Sequence, residues 1–182
     1  MQQLRLSNIL TGTKETLMRG TYIVLLNPLH LPPHLLVSHE GKLFSLSVSG
    51  RQLGSPLEKL LAWSERKKVP ALFIEWKLPA GSSAESFSGL AQTSFNRYPR
   101  VEAGKVSCLF PIREMAAALH GDKMNNARFI FELLPFLKDE NAIGNSYAFQ
   151  LETKNNAFEL LSYSEEDLAE AILRAKPGIR ST

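Results

Sequence analysis

His34-Leu35-Leu36-Val37-Ser38-His39-Glu40-Gly41-Lys42-Leu43-Phe44-Ser45-Leu46-Ser47-Val48-Ser49-Gly50 is the stretch that decides the architecture. Its second half alternates: Phe44, Leu46 and Val48 fall on one face, and Leu43, Ser45, Ser47 and Ser49 on the other. That is the two-residue period of a strand. The first half is a short run of strand formers, and a glycine-bearing turn at 39–41 joins the two. The reading is a β-hairpin. Two registers are open. A two-residue turn at His39-Glu40 sets His34 opposite Ser45, whereas one at Glu40-Gly41 sets it opposite Ser47; either way both serines share a face.

Working outward, Tyr22-Ile23-Val24-Leu25-Leu26 upstream is apolar on both faces and ends at Asn27-Pro28, as a central strand does. Adjacent prolines at 32 and 33 make a loop before His34. Residues 1–20 are polar and mixed, and read as a short helix or loop. Downstream, Ser55-Pro56-Leu57-Glu58 combines a capping serine, a proline at the first helical position and an early glutamate, so a helix is expected there. Pro70 to Trp76 reads as a strand. Residues 79–106, with Gly81-Ser82-Ser83, Gly89 and Pro99, have the least pattern and read as a loop or lid with short helical pieces.

A helix is expected from Cys108 to Leu119, stopping at His120-Gly121, followed by a second helix carrying Phe129, Ile130, Leu133, Leu134 and Leu137. Ser146–Leu151 and Ala157–Leu161 then read as a second hairpin around Lys154-Asn155-Asn156. Ser164-x-x-Asp167 opens a last helix, which Pro177-Gly178 stops. The fold class is α+β: one domain over 1–182, a mainly antiparallel sheet with a helix packed on it, and a C-terminal hairpin and helix.

Composition bounds the function. Hydrophobic residues are 44% and charged residues 21% of the 182, which is globular usage, and the net charge of +3 is too small and scattered to indicate nucleic acid. No apolar run approaches the roughly 20 residues that span a bilayer. No segment has the order of a secretory signal, so the expected compartment is the cytoplasm. A single cysteine forms no internal disulfide. Neither Cys nor His recurs at metal-ligand spacing, and no cofactor is implied.

Chemistry therefore has one candidate nucleophile. If Ser107 caps the helix, Cys108 is its first residue, at the positive end of the dipole, where a thiolate is favoured. Pro111 then lies among the first four residues, whose N–H groups have no intrahelical partner. The alternative reading is a buried, inert thiol. Of four histidines, His120 reads as a helix-end cation, His39 as a solvated turn residue and His30 as a loop residue. His34 opens a strand, on the face shared with Leu36, and is the candidate base. Ser45 or Ser47 is the candidate group to orient its ring. A structural histidine and a polar outer face are the competing readings.

This order resembles the circularly permuted papain-like thiol hydrolases, the clan of NlpC-like amidases and lecithin:retinol acyltransferase-like enzymes. Arg19-Gly20-Thr21-Tyr22-Ile23-Val24-Leu25 looks like the family's first strand and His34-Leu35-Leu36-Val37 like its histidine strand. Gly41-Lys42-Leu43-Phe44-Ser45-Leu46 looks like the third-residue strand and Ser107-Cys108-Leu109 like its nucleophile helix. The resemblance covers 19–120 and leaves 121–182 as a C-terminal elaboration. It departs in two places: the family's usual Gly-Asp is Gly20-Thr21, and the third position, often His, Asn, Gln or an acid, is Ser45.

The resemblance implies a cysteine hydrolase or acyl-transfer enzyme acting on a small amide, ester or peptide, with Cys108 attacking and His34 shuttling the proton. The loop at 79–106, with Phe87, Phe95 and Tyr98, is then the expected substrate cover, unless those rings anchor the core. The alternative is a non-catalytic interaction domain on the same scaffold, with a structural Cys108 and a binding surface on the C-terminal hairpin and helix.

Overall fold

The computed structural model describes residues 4–175. Strands β1 (Leu4–Leu6) and β2 (Leu10–Thr11) lead to helix α1 (Lys14–Arg19). Strands β3 (Thr21–Leu26), β4 (His34–His39), β5 (Lys42–Ser47) and β6 (Gly50–Pro56) follow, then helix α2 (Leu57–Lys67) and strand β7 (Ala71–Trp76). Helices α3 (Ala84–Asn96), α4 (Leu109–His120) and α5 (Ile130–Asp139) come next, with a 3-10 turn at Asp122–Asn126 between the last two. Strands β8 (Ile143–Phe149) and β9 (Phe158–Leu160) and helix α6 (Glu165–Arg174) complete the described chain. The class is α+β with a mostly antiparallel sheet.

Seven strands form the sheet in the order β2-β8-β7-β3-β4-β5-β6, with β2 and β8 parallel and the other neighbours antiparallel. Alternation sends the side chains of β3 both ways. Tyr22 and Val24 pack under α1 and α2 with Leu17, Leu57 and Leu61. Ile23 and Leu25 pack on the other face with Phe87, Phe95, Ile112 and Leu133 from α3, α4 and α5. Each such fully buried Leu, Ile or Phe stabilises the fold by about 1.5–3 kcal/mol.

The β4–β5 hairpin turns at Glu40-Gly41, with φ of 46° and 75°. Left-handed φ at both positions is what a two-residue type I′ turn demands. The ladder runs from His39 opposite Lys42 to Leu36 opposite Ser45. This is the register that, carried on, sets Ser47 opposite His34.

Several expectations give way. Ser55 pairs with Leu43 in β6, so Pro56 is the residue before α2 rather than its first, and the Leu57 N–H donates to Gly41 O at 2.8 Å instead of meeting a serine cap. Within the stretch expected as a short helix or loop, the described residues 4–20 contribute strands to two sheets besides a short helix. Residues 84–96, expected within a loop or lid with short helical pieces, form the 13-residue α3, opened by a reciprocal Ser83–Ser86 capping box. Phe87 and Phe95 are core anchors, 1% and 0% exposed, and not a substrate cover. The expected C-terminal hairpin does not form either. β8 enters the main sheet between β7 and β2, and β9 pairs instead with β1. α6 begins as expected, with Ser164 as its cap; the Pro177-Gly178 stop lies outside the described residues.

Candidate thiol site

Cys108 stands immediately before α4, at the N-cap, one position earlier than expected. Ser107 Oγ accepts the Leu109 N–H at 3.3 Å, and Pro111 sits third in the helix, where its missing N–H leaves no bond unmade. The thiol is buried, 9% exposed, in the core that holds Leu35, Val37 and Leu46.

Two backbone groups reach the sulfur: the N–H of Leu35 and that of Cys108 itself. The first carries structural information. In this hairpin register the next hydrogen-bonded rung after Val37–Phe44 joins Leu35 to Leu46, yet the paired residues stop at Leu36–Ser45. β4 and β5 part there, which leaves the Leu35 N–H on the side where it helps to lower the Cys108 thiol.

His34 is the neighbour of Leu35. It and Cys108 are walls of one open cavity of about 280 Å³, which Leu168, Ala171 and Ile172 of α6 also line. His34 also borders a wider, more polar cleft of about 640 Å³, beside His30, Trp63, Asp167 and Glu170. The two spaces share Pro32, His34, Ala171 and Ala175 as a common wall. Strand alternation directs His34 toward the Leu36 side of the sheet, whereas Cys108 belongs to the Leu35 side. The two therefore border one cavity at the open end of the β4–β5 ladder, from opposite sides of the sheet.

Burial dominates the titration of both groups. It raises the Cys108 thiol to about 11, with the two backbone N–H groups pulling the other way, and lowers His34 to about 4. Both are uncharged at neutral pH. Burial therefore opposes transfer of the thiol proton to the imidazole in this covered state.

Ser45 Oγ donates to Gln52 Oε1 at 3.1 Å, and Ser47 Oγ donates to Gly50 O at 3.1 Å while accepting the Ser49 N–H. Both serines line, with His34, a further cavity on the Leu36 side, but neither hydrogen-bonds its ring. The remaining histidines have other work. His39, expected in a solvated turn, is the last residue of β4 and 3% exposed. Its Nε2–H donates to Ala84 O at 3.0 Å and its Nδ1 accepts the Thr21 hydroxyl at 2.7 Å, clamping α3 to the sheet. His120 closes α4 and accepts a hydrogen bond from Trp76.

Two contributors to the site escaped the sequence reading. Tyr163 is buried close enough to Cys108 for their charges to couple, and burial raises its hydroxyl strongly. The inward face of α6 is the other. Its signal was present as Leu168, Ala171, Ile172 and Ala175 at helical spacing after the Ser164 cap. Among the described residues no cluster of His, Cys, Asp and Glu has the arrangement of a metal site, and no helix is long and apolar enough to cross a membrane. Comparison of the chain with protein-family models, with curated proteins and with solved structures returns no match.

Proposed function

We propose that the protein is a cysteine hydrolase or acyl-transfer enzyme acting on an amide or ester bond, of the permuted papain-like type. The observation that carries this reading is the seat of Cys108. Its sulfur lies before a twelve-residue helix, against the N–H of the residue next to His34, in a cavity that His34 also walls. The unpaired N–H groups at that helix end favour the thiolate and an oxyanion beside it.

In the reaction, His34 takes the Cys108 proton as sulfur bonds to the substrate carbonyl carbon. The C–N or C–O bond then breaks, and the leaving amine or alcohol takes the proton from the imidazolium. Water releases the acyl group from sulfur, or a second amine or alcohol carries it away. For this the His34 ring must turn toward the Cys108 side, and both groups must meet more water than they do under α6. Ser45 and Ser47, which line a cavity with His34, are the hydroxyls available to steady the ring.

A second reading has its own observation. The raised thiol, the lowered imidazole and the absence of a serine–His34 bond favour a non-catalytic interaction domain with a structural Cys108. The pH dependence of iodoacetamide labelling of native Cys108 separates the two. The enzyme reading expects labelling that persists at pH 6 and falls when His34→Ala is introduced. Labelling that grows only as pH climbs toward 11 and ignores His34→Ala would leave the interaction domain.

A further inference from the structure

α6 lines the cavity that Cys108 and His34 share. The helix is well made on its own terms. Ser164 Oγ accepts the Asp167 N–H at 3.1 Å, and the Asp167 carboxylate accepts the Ser164 N–H at 2.8 Å. Glu165, Glu166 and Asp167 fill the first turn and Arg174 the last, as the dipole favours. Its attachment is weak by comparison. No residue of α6 is buried, whereas α4 buries five, and Leu173 is 75% exposed.

Beneath α6 the packing is incomplete. The cavity holding Cys108 and another of about 210 Å³ beside Phe110, Arg113 and Phe129 both have Leu168 and Ile172 as walls. Side chains that face solvent-open cavities forgo dispersion contacts with protein on that side, so such a helix is held loosely. Pro32, Pro33, Val48 and Val101 also line the Cys108 cavity; His34 and Ser47 are its polar walls besides the thiol, and its lining includes no Asp, Glu, Lys or Arg.

We propose that α6 is a displaceable cover over the Cys108–His34 cleft, and that Leu168 and Ile172 hold the place taken in turnover by an uncharged, apolar group of the substrate. A charged group would leave water for a wall with no counter-charge, at high cost. Displacement also rehydrates the thiol and the imidazole, and since burial is what separates their titration, it moves the thiol down and the imidazole up toward one another. The inference rests on the enzyme reading for the word substrate, but the cover itself is testable without it.

The test uses the full chain and three thiol reagents, N-ethylmaleimide, iodoacetamide and iodoacetate, each rate divided by that for glutathione. The double variant Leu168→Ser, Ile172→Ser is expected to label at least about ten-fold faster than the parent at an unchanged melting temperature, as local opening becomes easier. The apolar maleimide is expected to gain over anionic iodoacetate. Unchanged rates, or a preference for iodoacetate, overturn the proposal. If the variant melts early, hydrogen exchange of the parent decides: α6 amides must exchange well before those of α4, and exchange in step with α4 overturns it. Fast labelling that ignores His34→Ala keeps the cover and removes the enzyme, so the two failures are distinct.

Discussion

Trp76 Nε1 donates to His120 Nε2 across 2.9 Å, which fixes the proton of neutral His120 on Nδ1 and ties the end of β7 to the end of α4. Burial lowers His120, with Glu140 opposing. A folded value below the usual imidazole range means that this contribution is present above about pH 6.5 and is lost as pH falls toward the lowered value. His34, at about 4, adds a loss in the same direction. Stability measured by urea melts is expected to drop between about pH 6.5 and 4. His120→Phe, which leaves the Trp76 N–H without its acceptor, is expected to cost about 1–3 kcal/mol at pH 7.5 and to flatten that slope. An unaltered slope in the variant would assign the acid loss elsewhere.

His39 and His34 sit on one strand with different duties, and substitution separates them. His39→Phe removes partners from the Thr21 hydroxyl and the Ala84 carbonyl and is expected to destabilise by about 2–4 kcal/mol. Labelling of Cys108 in the folded variant is expected to keep its pH profile. If His39→Phe changes that profile as His34→Ala does, the assignment of the base to His34 is wrong.

Phe87 fixes α3 to the sheet, edge-on to Trp76 at 5.6 Å between centroids and 4.7 Å from the His39 ring. Phe87→Ala is expected to cost about 3–5 kcal/mol, as truncation of a core ring does. Leu173→Ala, on the open side of α6, is expected to change stability by less than about 0.5 kcal/mol. Comparable thermal shifts for the two would contradict the contrast drawn between α3 and α6.

Ser164→Ala deletes the α6 cap and is expected to weaken that helix by about 1 kcal/mol, a roughly five-fold rise in its opening. Global melting is expected to stay where it is, because α6 contributes no fully buried side chain. Exchange of α6 amides and labelling of Cys108 are both expected to rise by that factor. A fall in melting temperature without faster labelling would place α6 in the cooperative core.

The elements legible in the sequence are those whose signals are local. The alternation through Phe44, Leu46 and Val48 and the glycine after Glu40 identify the β4–β5 hairpin, and the Ser164 and Gly121 signals mark two helix ends. α3 was masked by Ser82, Ser83, Ser86, Ser88 and Gly89, poor helix formers that resemble a loop, while its Phe87-Ala91-Phe95 spacing held the true period. The pairing of β9 with β1 was not legible because strand partners distant in the chain leave no mark on either segment. For the candidate thiol site, order along the chain singles out His34 and Cys108, and the structure makes both of them walls of one cavity. Which side of the sheet each occupies, and what lies over them, depends on tertiary packing.

The β1–β9 ladder joins Leu4 to Leu160 and Leu6 to Phe158, only a few residues before Ser164. The two extremities of the described chain are thus stitched together mechanically. Prying Leu4–Leu6 loose, whether by proteolysis or by a competitor strand, deprives β9 of its partner just before the chain enters α6, which lines the cavity of a sulfur more than a hundred positions away.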